Sequence, residues 1–473
     1  MELAKLIRVD KDKCVNCHQC IAACTTKFAN NGSGDHVEIN DDLCIGCGEC
    51  LKACSHEART FIDDFDLLFQ AINKKQKIVA IVAPAVAATF PNSYLHLNGW
   101  LESLGVSAFF DVSFGAELTV KSYLEFIREE NPMLVISQPC PAIVSYMQIY
   151  QPDLLPYLAP ADSPMMHAMK MVKEFYPEFK DYKMLVISPC IAKKREFNEV
   201  GIGDFNVTLQ SIQNYLKENK IILSNYPEVE FSNDKAERAV LFSTPGGLLM
   251  TAEREAPEIR NKTRKIEGPQ IVYKYFDKLK DQIKQNRTPL LVDCLNCELG
   301  CNGGTGTSLK DASADELEFY IEERKVKMQA EYKTSAKSKD NDKKLNQVIN
   351  KYWKPGLYTR TYQNHSKHFT ERIKIPGNKN LKEIYASMHK YSDEDIINCA
   401  SCGYNSCEMM ATAIHNNLNR KENCHFFLAH EVSLITEDLR DKTDRVISQK
   451  QEIISQSENL LAFIQKIRQY IQG

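Results

Sequence analysis

Three short stretches end in cysteine: LVISQPC at Cys140, LVISPC at Cys190, and VDCLNCELGCNGG around Cys297 and Cys301. Each opens as a compact apolar run of the kind that makes a buried strand, with proline or glycine beside the thiol. In open α/β sheets, sites form in the crevice beyond the carboxyl ends of strands. Three strand ends that deliver soft thiolates point to one metal centre assembled from distant parts of the chain.

The remaining cysteines divide by spacing. Cys14, Cys17, Cys20, Cys24 and Cys44, Cys47, Cys50, Cys54 repeat C-x2-C-x2-C-x3-C, the bacterial two-cluster ferredoxin pattern. In that pattern the close trio wraps one cubane and the fourth cysteine crosses to the other. Cys14, Cys17, Cys20 and Cys54 are then one 4Fe-4S ligand set, and Cys44, Cys47, Cys50 and Cys24 the second. Thr25 and Ser55 replace the proline that usually follows each fourth cysteine. Zinc sites rarely repeat this triple spacing. Cys399, Cys402, Cys407 and Cys424 suit a further 4Fe-4S cluster or a four-cysteine zinc site. Their stretch, NCASCGYNSC followed by KENC, resembles the small 4Fe-4S module of the Rnf complex B subunit and of corrinoid iron–sulfur proteins. Cys294 is the cysteine left over, read as a packed thiol at the end of the strand PLLVDC.

The elements that must position these groups follow from pattern. At 473 residues the length prior is about three domains. Residues 1–60 are too short and too cysteine-rich for a conventional core. Phe61 to Lys75 has the periodicity of an amphipathic connecting helix. From Lys77 to about Gly306, apolar runs alternate with helical patterns, the rhythm of parallel α/β units. The strand candidates are KIVAIVAP, PMLVISQPC, KMLVISPC, RAVLFSTPGG and PLLVDC, with helices at Ala116 to Glu130 and Ser163 to Phe175. The near-repeat of LVISQPC and LVISPC suggests two similar halves facing a shared site. Residues 308–365 read as surface helices and an irregular connector around Trp353, Pro355 and Gly356. Val432, Leu439, Val446, Ile453, Leu460 and Ile467 recur every seven residues, the stripe of a long helix that pairs with another. Lys442, Gln449 and Gln456 weaken the middle of that seam. The expected partner is a second copy, giving a homodimer through 427–473.

Bulk properties exclude other classes. A net charge of −3 from 59 basic and 62 acidic residues leaves no footprint for nucleic acid. The lysines from Lys325 to Lys354 are interleaved with acidic residues, as on a solvated helical face. The longest apolar run, Ile78 to Phe90, contains Pro84 and falls short of the roughly 20 residues that span a bilayer. With no secretory pattern at the start and 17 cysteines, metal ligation in the cytoplasm is expected rather than disulfides.

Across residues 1 to about 310 the chain resembles the iron-only (FeFe) hydrogenases, whose three cysteine motifs occur here in the same order. The resemblance implies an α/β fold: a two-lobed H-cluster domain with parallel sheets over 61–365, after a two-cluster ferredoxin domain at 1–60. A C-terminal 4Fe-4S module at 366–426 and a coiled-coil helix at 427–473 complete the expected order. It also implies that Cys140, Cys190, Cys297 and Cys301 hold a cubane, with Cys301 bridging to a di-iron dithiolate unit that carries carbon monoxide and cyanide. Lys193, in PCIAKK, would face one cyanide, and Pro84 and Ala85, in VAPAV, the other. STPGGLLM and GCNGG would let backbone approach the cofactor closely.

The departures from that family are specific. Turnover hydrogenases place a proton-relaying cysteine just before the first ligand, where this chain has Pro139. The two glutamates that continue the relay correspond to Tyr123 and Phe126, leaving Glu125 or water as substitutes. Ser188 and Leu295 stand where methionines line the cofactor. The implied activity is slow interconversion of H2 with protons and electrons, in the service of H2 or redox sensing. Its partners would be a ferredoxin-like or other redox protein and a downstream signalling protein. Two alternatives are a ferredoxin-dependent catalytic hydrogenase with another proton path, and a Narf-like iron–sulfur scaffold without a di-iron unit.

Overall fold

The computed structural model describes residues 3–309, 312–333 and 338–473, so part of the Lys325 to Lys354 stretch lies outside the described residues. They form two compact units, Met1–Ile373 and Lys374–Gly473.

The N-terminal segment has little apolar sequence and correspondingly short elements. Strand β1 (Ile7–Val9) opens the chain, and β2 (Asn30–Asn31) pairs antiparallel with β3 (Glu38–Ile39). Strand β4 (Arg59–Phe61) returns antiparallel to β1. The helices Gln19–Ala23 and Glu49–Lys52 each carry the third cysteine of a motif. The two cysteine loops turn through left-handed backbone at equivalent places: Gly46 and Gly48 in the second, Asn16 and His18 in the first. Left-handed backbone is uncommon outside glycine, but Asn and His adopt it more readily than most residues, and side-chain bonds hold it here. Asn16 Nδ2 donates to Gly34 O at 2.9 Å, and the His18 ring lies 3.1 Å from Asn16 Oδ1.

Strands β5 (Ile78–Val82), β6 (Val106–Asp111), β7 (Val135–Ile136), β8 (Lys183–Ser188), β9 (Phe205–Thr208), β10 (Thr263–Glu267) and β11 (Leu291–Leu295) build two wholly parallel sheets. The first has order β6-β5-β8-β9 and the second β10-β11-β7. The runs IVAIV and LVDCL are buried along their whole length, as parallel strands covered on both faces must be. Alternate residues of β5 face opposite cores. Val79 and Ile81 pack with Met165, Met169 and Phe110, whereas Ile78, Ala80 and Val82 pack with Leu97 and Trp100. The near-repeated motifs therefore lie one in each sheet, β7 and β8, matching the two halves expected.

Six segments differ from the sequence reading. RAVLFSTPGG is not a strand: Ala239–Ser243 is a 3-10 helix, followed by the helix Gly247–Glu255. The cause is the buried carboxylate of Glu117, whose Oε1 accepts from the N–H groups of Glu237 (2.9 Å), Arg238 (3.1 Å) and Ala239 (3.2 Å). A carboxylate that gathers three successive N–H groups fixes a helix start. Within the two parallel sheets, three strands lack a sequence signal. Phe205–Thr208 carries a buried Asn, and Thr263–Glu267 is a charged edge strand with no apolar run. Val106–Asp111 directly precedes the helix Val112–Glu130 and continues into its pattern. The helix Ala314–Tyr332, expected at the surface, buries Leu317, Ile321, Met328 and Arg324, the last paired with Asp111 at 2.6 Å. Residues 366–373, expected in the cluster module, belong to the first unit, where Phe369 packs on Phe28 and Tyr150.

In the second unit, the helices Asn378–Ser387 and Cys407–His415 pack together. They precede a 48-residue helix, His425–Gln472, in which Phe427 is the buried residue. Among the described residues no helix is long and apolar enough to cross a membrane.

Candidate metal centres

The carboxyl ends of parallel strands of both sheets meet at one cavity. After β5 comes the turn Ala83-Pro84-Ala85, after β8 Pro189-Cys190, after β11 Asn296-Cys297, and after β7 the extended run to Cys140. All four thiols, Cys140, Cys190, Cys297 and Cys301, line the cavity. Pro84, Ala85, Pro139, Lys193 and Leu295 line it too.

Ser188 does not. It lies below the floor, donating to Asn206 Oδ1 at 2.8 Å, and its Oγ accepts from Cys190 N at 3.3 Å. Its hydroxyl is drawn into the polar turn that aims Cys190, so it positions a ligand instead of touching the cavity contents. The glycines of GCNGG also have a different reason from the one expected. A Cβ on Gly300 would sit 2.4 Å from Ser243 O, and one on Gly304 2.4 Å from Pro189 O. Their close approach is to neighbouring backbone.

Electrostatics make the thiol group distinctive. Burial, reinforced by the neighbouring sulfurs, pushes Cys190 up to about 11 and Cys297 up to about 12, and raises Cys301 well above the ordinary thiol range. Lys193 works in the opposite direction on Cys190 and Cys301. Such thiols ionise together only when a metal takes up their charge. Four soft donors with one buried cation in an apolar cavity fit an iron–sulfur group bearing anionic ligands. The Lys193 Nζ is held by Glu196 at 2.6 Å, Ser163 Oγ at 3.0 Å and Pro139 O at 3.2 Å. Burial would raise Glu196, but Lys193 and Arg360 hold its carboxyl below the usual range. Glu196 and Arg360, 2.8 Å apart, were missed in the sequence because nothing in their spacing marks them.

The wall at Pro139 lacks a proton carrier. Behind it, the Tyr123 hydroxyl accepts from Gln138 N at 3.3 Å, and burial drives its phenol far up. Phe126 packs into the core. Glu125 points outward and pairs with Lys121 at 2.9 Å, so it does not substitute.

Cys294 is fully buried on the opposite face of β11, its sulfur 3.7 Å from Ser137 Oγ. Its neighbour Asp293 is pushed up to about 7 by burial and then by Glu267, against the pull of the Leu249 N–H and Lys265. A carboxyl raised above its ordinary value binds a proton in the folded state that the unfolded chain releases near pH 4. Stability is therefore full below that point and falls as pH rises toward 7, by about 1.4 kcal/mol per unit at most. Asp293→Asn is expected to flatten this slope, so that its melting temperature gains on the parent between pH 5 and pH 8. Parallel pH profiles would contradict the assignment.

The N-terminal thiols adjoin this centre. Among the charges acting on Cys44, Cys47 and Cys50 is that of Cys24, consistent with a crossing ligand. Asn296 Nδ2 donates to Cys47 O at 3.2 Å and lies 3.7 Å from Cys297 Sγ, linking the second loop to the central thiols. Arg195 anchors the same loop through Cys44 O and through Asp41 O at 2.8 Å. Asn296 stood beside a ligand in the sequence, and Arg195 followed PCIAKK; neither had a signal of its own.

In the second unit, Cys399, Cys402, Cys407 and Cys424 line one small cavity with Lys390 and Phe426. Cys407 starts one helix and Cys424 caps the 48-residue helix, so two helix N-termini face the thiols. Among the described residues no three of His, Cys, Asp and Glu close on a single metal ion.

Comparison with known proteins agrees with this geometry. The family "Iron only hydrogenase large subunit, C-terminal domain" matches residues 76–305, and "4Fe-4S dicluster domain" matches 6–59. Iron hydrogenase 1 of Clostridium pasteurianum is 28% identical over 299 residues, 54% of this chain and 52% of its own. The NADP-reducing hydrogenase subunit HndD of Solidesulfovibrio fructosivorans is 25% identical over 280 residues, covering 52% of this chain and 43% of its own. The chain thus spans about half the length of these relatives. A solved [FeFe]-hydrogenase structure, from work on oxygen inactivation at the H cluster, superposes with a TM-score of 0.51 at 19% identity. It covers 64% of this chain and all of its own, which establishes the likeness of fold.

Proposed function

Because this chain is an FeFe hydrogenase-like protein, we propose that it binds an H-cluster and interconverts H2 with protons and electrons slowly, as an H2 or redox sensor. An H-cluster, a 4Fe-4S cubane joined to a di-iron dithiolate unit with carbon monoxide and cyanide ligands, would supply the centre at which H2 is made or split. Cys140, Cys190, Cys297 and Cys301 would hold the cubane, with Cys301 in the bridging place. Lys193, fixed by Glu196 and Ser163, offsets anionic ligands in a cavity of low dielectric. Pro84, Ala85 and Leu295 exclude water from the same walls.

The observation that carries the slow reading is Pro139. It lies in the cavity wall beside Cys140 and offers neither a thiol nor an amide proton. A positioned acid or base contributes typically 10²–10⁴-fold. The residues behind the wall, Tyr123 and Phe126, do not restore that contribution.

Electrons would pass through the two N-terminal 4Fe-4S clusters to a ferredoxin-like or other redox partner, as the contact of Asn296 with the Cys47 loop supports. The C-terminal cysteines would hold a further 4Fe-4S cluster at the root of the long helix. Its exposed stripe, including Val432, Leu439, Val446 and Ile453, supports pairing with a second copy and output to a downstream signalling protein. The thiol-rich composition suits the cytoplasm.

One comparison tests activity and output together. The fully matured full chain is expected to sediment as a dimer and to turn over H2 two to four decades below a catalytic hydrogenase assayed alongside. The chain without 427–473 is expected to be a monomer with the same low turnover. Turnover at the catalytic level would refute the sensor reading, and an unchanged oligomeric state would refute the helix as the dimer contact.

A further inference from the structure

Among the buried cations of the N-terminal segment, one has no ordinary partner. Arg59, on β4, is 6% exposed, and its buried Nη1 and Nη2 meet no oxygen acceptor; the side chain that its guanidinium faces is the Cys50 thiol. The register Val9↔Arg59 fixes it on the β1–β4 ribbon, and the helix Glu49–Lys52 packs against β4 and against the helix Gln19–Ala23. These two helices carry Cys50 and Cys20, one from each ligand set. The sulfurs nearest in influence to its guanidinium are those of Cys50, Cys20 and Cys24.

A buried guanidinium without a carboxylate is costly unless another anion meets it. The anions that the fold brings to Arg59 are cluster thiolates from both sets. We propose that Arg59 is a buried counter-ion shared by the two N-terminal 4Fe-4S clusters, raising the reduction potential of both. A cluster gains one negative charge on reduction, so a nearby fixed cation stabilises the reduced form. The effect is strong because solvent does not screen it. The inference rests on the two-cluster reading of residues 1–60.

Lys52 provides an internal contrast. Its Nζ stands near Cys47 and Cys297, but its side chain is 37% exposed and pairs with Glu49 at 3.2 Å. Screening and pairing leave it with little effect.

The test is a redox titration, followed by electron paramagnetic resonance, of the full chain loaded with iron and sulfide but without di-iron maturation. Iron analysis comes first, since a protein lacking the N-terminal clusters would overturn the two-cluster reading and this inference with it. With iron intact, Arg59→Gln is expected to shift the reduced-to-oxidised ratio of both N-terminal clusters at least tenfold toward oxidised. That is a fall of about 59 mV in each midpoint. Arg59→Lys, which keeps the charge, and Lys52→Gln are each expected to stay within about threefold of the parent. Unchanged midpoints in Arg59→Gln, or an equal fall in Arg59→Lys or Lys52→Gln, would overturn the proposal. If Arg59→Gln fails to hold iron, the Lys variant decides. Parent-like midpoints support the counter-ion, whereas loss of iron there too shows a requirement for shape instead of charge.

Discussion

Replacing Pro139 by cysteine is expected to raise H2 turnover of the matured protein by about 10²–10⁴-fold. The side chain at this position lines the cavity beside Cys140, so a thiol there would face the bound group directly. Cysteine titrates near 8.5 when unperturbed, close enough to neutrality to give and regain a proton at each cycle. The substitution also supplies a backbone N–H where proline has none. The contact of Pro139 O with Lys193 does not depend on the side chain and should survive. The gain should sit toward the lower end of that range, because the next position inward is Tyr123, whose buried phenol releases its proton only far above neutral pH. Adding Tyr123→Glu should extend the gain, at a cost in stability from a buried carboxyl. Measured rates equal to those of the parent would mean that protons already reach the cavity by another route. The ion pair of Lys193 with Glu196 is the place to look for one.

The second large effect is expected at Cys301. Cys301→Ala should lower H2 turnover to background and remove the infrared bands of the di-iron unit, while iron at the eight N-terminal cysteines stays. The thiol lines the cavity with Cys297, Cys140 and Cys190, and no residue of GCNGG other than Cys301 offers a sulfur there. Cys294→Ala is the matched control. It lies on the preceding strand, β11, and packs against Ser137 on the far face, so it should keep iron and turnover and lose only about 1 kcal/mol of stability. Retention of activity in Cys301→Ala, or its loss in Cys294→Ala, would mean that the ligand set has been misassigned.

Much of this architecture was legible because its signals are local. Cysteine spacing identified the thiol groups, and buried parallel strands such as IVAIV and KMLVIS announce themselves as continuous apolar runs. What escaped depends on partners distant in sequence. The helix at Ala239–Ser243 exists because Glu117, more than a hundred residues earlier, collects its N–H groups. The edge strand Thr263–Glu267 is specified by its register on Leu291–Leu295, which five mostly polar residues cannot reveal. Ser188 occupies the position of a cofactor-lining side chain, yet its hydroxyl finds Asn206 and turns away from the cavity. Arg59, Arg195 and Glu196 carry no motif, and their importance lies in which buried charges they meet.

The central claim is that the cavity beyond the strand ends holds a di-iron unit and not a cubane alone. Infrared spectroscopy of the fully matured wild-type protein tests it most directly. Bands from bound carbon monoxide and cyanide are expected, and they should shift when H2 is admitted. Matured protein with its full complement of iron–sulfur clusters but no such bands would contradict the account and identify the chain as an iron–sulfur scaffold.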